Sequence, residues 1–140
     1  TSLGNEVYML RETLVLAMVQ QNSPVERIKA VQMATQFEAD DRIIESLIRM
    51  LGNDDNDNVR LMALEALVKY ADKPEVREEL ISTISMQSSP MVQLRLAELM
   101  RIMQEKRSVP EFQKVLLDVH LNYTVRSKID ETVRLLIETV

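Results

Sequence analysis

The chain repeats itself every thirty-three residues, and that period constrains its fold more than any other feature. At this step Arg27 falls on Arg60, Gln93 and Arg126, and Ala30 falls on Ala63, Leu96 and Ile129. Gln32 falls on Glu65, Glu98 and Glu131; Ala34 on Leu67, Met100 and Val133; Phe37 on Tyr70, Met103 and Leu136. Val59, Val92 and Val125 share a further column. Columns that keep size and polarity through successive copies mark stacked units that share one core.

Each copy reads as two helices. The first is expected over 24–37, 58–71, 90–106 and 124–139, the second over 41–51, 74–85 and 110–120. In the second copy Val59, Ala63, Ala66, Leu67 and Tyr70 recur at three- and four-residue steps, which makes one apolar stripe. The second helices carry Ile43, Ile44, Leu47, Ile48 and Leu51, then Val76, Leu80, Ile81 and Ile84. In the third copy Phe112, Val115, Leu116 and Val119 follow after a shift of about three residues, assigned to a longer first helix. Pro24, Pro74, Pro90 and Pro110 fall where a helix should begin, because proline lacks a donor the first turn does not need. Gly52, after Leu51, occupies the favoured place for a left-handed stop. Residues 5–20 match a second helix, with Leu14, Val15 and Met18 in register with Leu47, Ile48 and Leu51. The expected fold is therefore all-α: a right-handed α-solenoid of about eight helices. It divides into a half repeat (5–21), repeats at 22–54, 55–87 and 88–121, and a closing half repeat (122–140). Only 2 Gly and 4% aromatic residues agree with helices over sheet.

Composition excludes several functions. With a net charge of −5 and its basic residues scattered singly, the chain lacks the concentrated positive field that nucleic acid requires. It has no cysteine, hence no disulfide, thiol catalysis or thiolate metal site. The longest clean apolar run, Leu14 to Val19, is far short of a membrane span, so direct insertion by this segment is not expected. The first residue is Thr1, so the sequence reads as a piece of a longer protein.

Five features invite a functional reading. The stretch NDDNDNVRLMALE (53–65) places Asp54, Asn56, Asn58 and Glu65 at calcium-loop positions one, three, five and twelve. Position six, however, needs glycine and is Val59, and Glu65 would lie nearly two turns inside a helix. The plain reading is an Asp/Asn turn that caps a helix start. Arg27, Arg60 and Arg126 form a ladder, with an Asp of the preceding turn (54, 55 or 57) as partner for Arg60 and a link between repeats. His120, the single histidine, suits a helix end rather than a metal or catalytic set. Met62, Met100 and Met103 fall on core columns, leaving Met9, Met50 and Met86 as candidates for exposure. Glu12, Glu45 and Glu78 lie thirty-three apart, with Lys114 in the shifted third copy and Arg49, Ser82 and Asp118 one turn on. In a solenoid these rows line the concave face and would suit a basic or polar peptide. No catalytic set, cofactor or metal is expected.

The segment VRLMALEALVKYADKPEVREELISTI resembles a HEAT repeat in its Val59-Arg60 pair, Ala63, Ala66-Leu67 and the proline-started helix that follows. The resemblance implies a protein–protein interaction scaffold whose second helices line the concave side. More narrowly, LRETLVLAMVQQNSPVERIKAV, NVRLMALEAL, QSSPMVQLRLAELM and EKRSVPEFQKVL are similar to C-terminal HEAT regions of bacterial membrane-anchored proteins with an anti-sigma-factor-like zinc finger. That similarity implies a regulatory or sensory role in an envelope-associated protein, on the periplasmic side if it holds and cytoplasmic otherwise. A second function to weigh is a structural element that forms a homo-oligomer through its unpaired terminal helices, 5–20 and 124–139.

Overall fold

A computed structural model describes residues 1–138. Every regular element among them is helical: α1 (Ser2–Met18), α2 (Pro24–Ala34), α3 (Asp41–Asn53), α4 (Asp57–Val68), α5 (Pro74–Thr83), α6 (Pro90–Ile102), α7 (Val109–Val115) and α8 (Tyr123–Glu138). Short 3-10 turns occupy Ile84–Met86 and Lys106–Ser108. The chain forms two compact units, 1–72 and 73–140. Within the first, α1 packs on α2 and α3, α3 on α4, and α2 on α4, giving the two helical layers of an α-solenoid. Two of these pairs, α1–α2 and α3–α4, each join a second helix of one sequence copy to the first helix of the next. Within the second unit α6 packs on α8, and α7 packs on α8 and on the turn that ends α5.

The repeat columns lie in the core. Val59, Val92 and Val125 are fully buried, as are Ala30, Ala63, Leu96 and Ile129. Ala30 and Ala63 serve the α2–α4 packing, while Leu96 and Ile129 serve α6–α8, so this column is small in one unit and large in the other. Gln32, Glu65, Glu98 and Glu131 are all exposed. A further column, Ser23, Asn56, Ser89 and Asn122, precedes α2, α4, α6 and α8. The two Asn side chains accept from backbone N–H groups of the first turn: Asn56 from Asn58 and Val59, Asn122 from Thr124 and Val125. The two Ser side chains make no such bond, and each is followed by proline, which removes one donor needing a partner.

Several local expectations fail for identifiable reasons. Helix α1 begins at Ser2, three residues early, because Thr1 caps it by accepting from the Gly4 N–H. Gly52 is helical with negative φ, and α3 runs on to Asn53. Phe37 lies beyond the end of α2 and stacks edge-on against Tyr8, ring centroids 5.5 Å apart. The extra residues of the third copy do not lengthen α6. Gln104 takes φ 52° and stops it, with Gln104 N–H on the Arg101 carbonyl and Glu105 N–H on the Met100 carbonyl. Helix α7 ends at Val115, so Val119 is 84% exposed and His120, in the following loop, meets no helix end. Of the three methionines singled out for exposure, Met9 and Met86 are exposed while Met50 is buried. The end of the last predicted helix, 139, and the last residue of the closing half repeat lie outside the described residues.

Candidate functional site

The Arg column fastens the loop in front of each first-layer helix. Arg27 Nη1 donates to the Gln21 and Asn22 carbonyls, at 3.0 and 2.9 Å. Arg60 Nε donates to the Asp54 carbonyl, and Gln93 Nε2 donates to the Gln87 carbonyl at 2.9 Å. Arg126 donates to the Leu116 and Asp118 carbonyls. Gln93 does the same work without a charge, which explains why an amide stands in a column of guanidinia: the column answers carbonyls.

Asp54 adds a second layer to this arrangement. Its carboxylate takes a fork from Arg27, Nε at 2.8 Å and Nη2 at 3.0 Å, while its carbonyl takes Arg60. One residue thus joins two steps of the ladder. Asp55, almost fully exposed, adds a 3.1 Å contact to Arg27. The Asp54 carboxylate is held by Arg27, while Arg60, one turn into α4, takes the Asp54 carbonyl. The calcium-loop spacing is accounted for in the same way. Asp54 is bound by Arg27 and the Asn56 N–H, Asn56 caps α4, and Glu65 lies well inside that helix. Among the described residues no group of three or more His, Asp or Glu side chains could hold a metal ion.

The row of second-helix residues divides. Glu12 is not on an open surface: it is 7% exposed, beneath the start of α3, where Arg42 Nη1 reaches it at 3.1 Å. Hydrogen bonding with Asp40, burial, and the Asp40 charge together push the Glu12 carboxyl above its usual range, against the pull of Arg42. Glu78 is exposed but pairs with Arg107. Arg107 in turn forks onto Glu105, Nε to Oε1 and Nη2 to Oε2, both at 3.0 Å. That bond leads the causes holding the Glu105 carboxyl below its usual range. Arg77 Nε lies 3.3 Å from Glu105 but is not aligned to donate, so it adds charge rather than a hydrogen bond. Lys114 pairs with Glu111 at 3.0 Å, and Ser82 donates to the Glu79 carbonyl. Asp118 accepts from the His120 N–H. In the second unit, then, the row is already engaged by its own neighbours.

Glu45 and Arg49 differ. Both are exposed on α3, one turn apart, with Asp41 one turn earlier on the same ridge. Arg49 gives Nη2 to Ser46 Oγ at 3.1 Å and borders a cleft of about 230 Å³ between the ends of α1 and α3. Val19 and Met50 supply its apolar wall, and Gln20, Ser46, Asn53 and Asp54 its polar one. A second hollow of about 240 Å³ lies within the same unit among Ala34, Leu47, Ala66 and Tyr70, with Thr35, Glu65 and Lys69 also lining it. Lys69 is committed, with Glu38 at 3.3 Å and the Tyr70 ring centroid at 5.5 Å. Sequence reasoning missed the Glu105–Arg107–Arg77 cluster, which falls where the third copy leaves the thirty-three-residue register, and the Glu12–Asp40 pair, which joins a helix to a loop.

No helix among the described residues is long and apolar enough to cross a membrane. No curated protein and no solved structure matches the chain. A family model described as HEAT repeats matches residues 11–101, which takes in α2 to α5 whole together with the second half of α1 and nearly all of α6. With the buried repeat columns and the stacked helix pairs, this match shows that the chain belongs to the HEAT-repeat family.

Proposed function

We propose that the chain is a non-catalytic protein-interaction module that docks a peptide segment on the α1–α3 side of its first unit. Repeats of this family are typically protein-binding scaffolds. The observation that carries the site is the cleft beside Arg49, where an apolar wall adjoins an exposed guanidinium with donors to spare. Arg49 suits a carboxylate of the partner, since a guanidinium forks onto a planar acid. Glu45 and Asp41 suit a basic residue one helical turn away. Peptides selected from a random library against the 140-residue chain provide the test. Arg49→Glu and Glu45→Lys should each lower the affinity of selected peptides at least tenfold, while Ser82→Ala leaves it unchanged. Full affinity in both charge-reversed variants would remove the site.

A narrower reading places this module in a bacterial regulatory protein of the anti-sigma-factor-like kind, at the cell envelope. It is supported by the similarity of LRETLVLAMVQQNSPVERIKAV and QSSPMVQLRLAELM to the C-terminal regions of such proteins. Sequencing upstream of Thr1 tests it. A Cys/His zinc pattern followed by an apolar span would support the assignment, and a coding region that starts without either would end it.

A further inference from the structure

Helix α1 carries two apolar faces, and only one belongs to the fold. Val15 and Glu12 are buried, and with Tyr8, Leu16 and Val19 they mark the face that packs inward. On the opposite side stand Leu3, Val7, Leu10 and Leu14, exposed by 70, 40, 71 and 49%. The repeat register makes this exposure anomalous. Thirty-three residues on, Leu10 and Leu14 become Ile43 and Leu47; thirty-three further, Val76 and Leu80. All four are buried.

The spacing of the outer face is specific. Leu3, Val7, Leu10 and Leu14 follow one another at steps of four, three and four, the seam of a two-stranded coiled coil. With Val7 and Leu14 at position a, Leu3 and Leu10 take d, Glu6 takes g and Arg11 takes e. In a parallel pair, a g residue faces the e residue five positions later on the other strand. Glu6 would face Arg11 of a second copy, and by symmetry the contact occurs twice. An antiparallel pair would set e against e and lose this match. Both side chains are exposed, and no ion pair to either is found among the described residues.

We propose that the outer seam of α1 is a self-association surface, on which a second copy of this chain docks its own α1 in parallel. Seam hydrophobes supply the attraction, and the Glu6–Arg11 pairs set the direction. The inference is independent of the peptide site, which faces the other side of α1 near its end.

Light scattering and sedimentation of the 140-residue chain test it. The chain should be a concentration-dependent dimer, and Leu10→Glu should make it monomeric with its helical circular dichroism intact. Glu6→Arg and Arg11→Glu should each weaken the dimer about tenfold by setting like charges together. Mixing these two variants should restore pairing as a heterodimer. A chain that stays monomeric at millimolar concentration overturns the proposal, as does a dimer indifferent to Leu10→Glu. Should neither charge reversal weaken the dimer, the parallel register is wrong.

Discussion

At the scale of single residues, the fold depends on a few polar contacts set into an apolar frame. Asp54 is the most connected, and its carboxylate is nearly buried behind Arg27. Arg27→Ala would strand that charge and leave the Gln21 and Asn22 carbonyls unanswered. The expected loss is about 3 kcal/mol, read as a lower urea midpoint. Arg27→Lys should recover little, because an ammonium cannot fork. Asp55→Ala should change nothing measurable, since that group is 92% exposed. Glu12 offers a test by pH. Its folded carboxyl titrates above the unfolded one, so its contribution is fully present below the unfolded pKa of about 4.3 and is lost as pH rises through the folded value. Glu12→Gln stays neutral and keeps a donor for Asp40. Thermal melts should show the variant close to the parent near pH 4 and more stable by on the order of 1 kcal/mol at pH 7.5. An advantage confined to acid pH would refute a raised carboxyl at Glu12.

At the scale of elements, helix starts after α1 were legible and helix stops were not. Starts obey residue chemistry that can be read directly: Pro24, Pro74 and Pro90 each open a helix, Pro110 stands one residue inside α7, and Asn56 and Asn122 cap theirs. Stops depended on geometry that no residue type announced. Gly52 continues α3, whereas Gln104, with no glycine near it, takes the left-handed conformation that ends α6. A side chain there costs roughly 1–2 kcal/mol relative to glycine. Gln104→Gly should therefore stabilise the chain by roughly 0.5–1 kcal/mol after the greater entropy of unfolded glycine is counted. A higher melting temperature with unchanged helical content would be the sign of it. Any loss of stability would mean that the Gln104 side chain holds the turn.

At the scale of the whole molecule, the period delivered the core and missed the surface. Burial recurs with helix geometry, so a column fixed in one copy, such as Ala30 to Ile129, stays fixed in the others. Exposure depends on which neighbour is present. Glu12 and Glu45 share a column, yet one lies under the start of α3 and the other faces solvent. The same reasoning separates Leu10 from Ile43. The division into compact units at 72 and 73 makes its own prediction. Residues 1–72 carry their two layers and the whole Asp54 network, so expressed alone they should give a helical spectrum and a cooperative melt. A featureless melt would show that the first unit needs the second.

The back-reaching column bears on how such a chain could have grown. Arg27, Arg60 and Gln93 each grip a carbonyl only 6 residues upstream. A tandem duplication of thirty-three residues would carry its own fastening with it and need no compensating change elsewhere. Asp54 reaches farther, since the Arg27 it answers lies 27 residues back, near the start of the same copy. A 22–54 block copied in tandem would keep that tie too, because it holds both partners. Arg27 and Asp54 thus travel together, towards the two ends of one block.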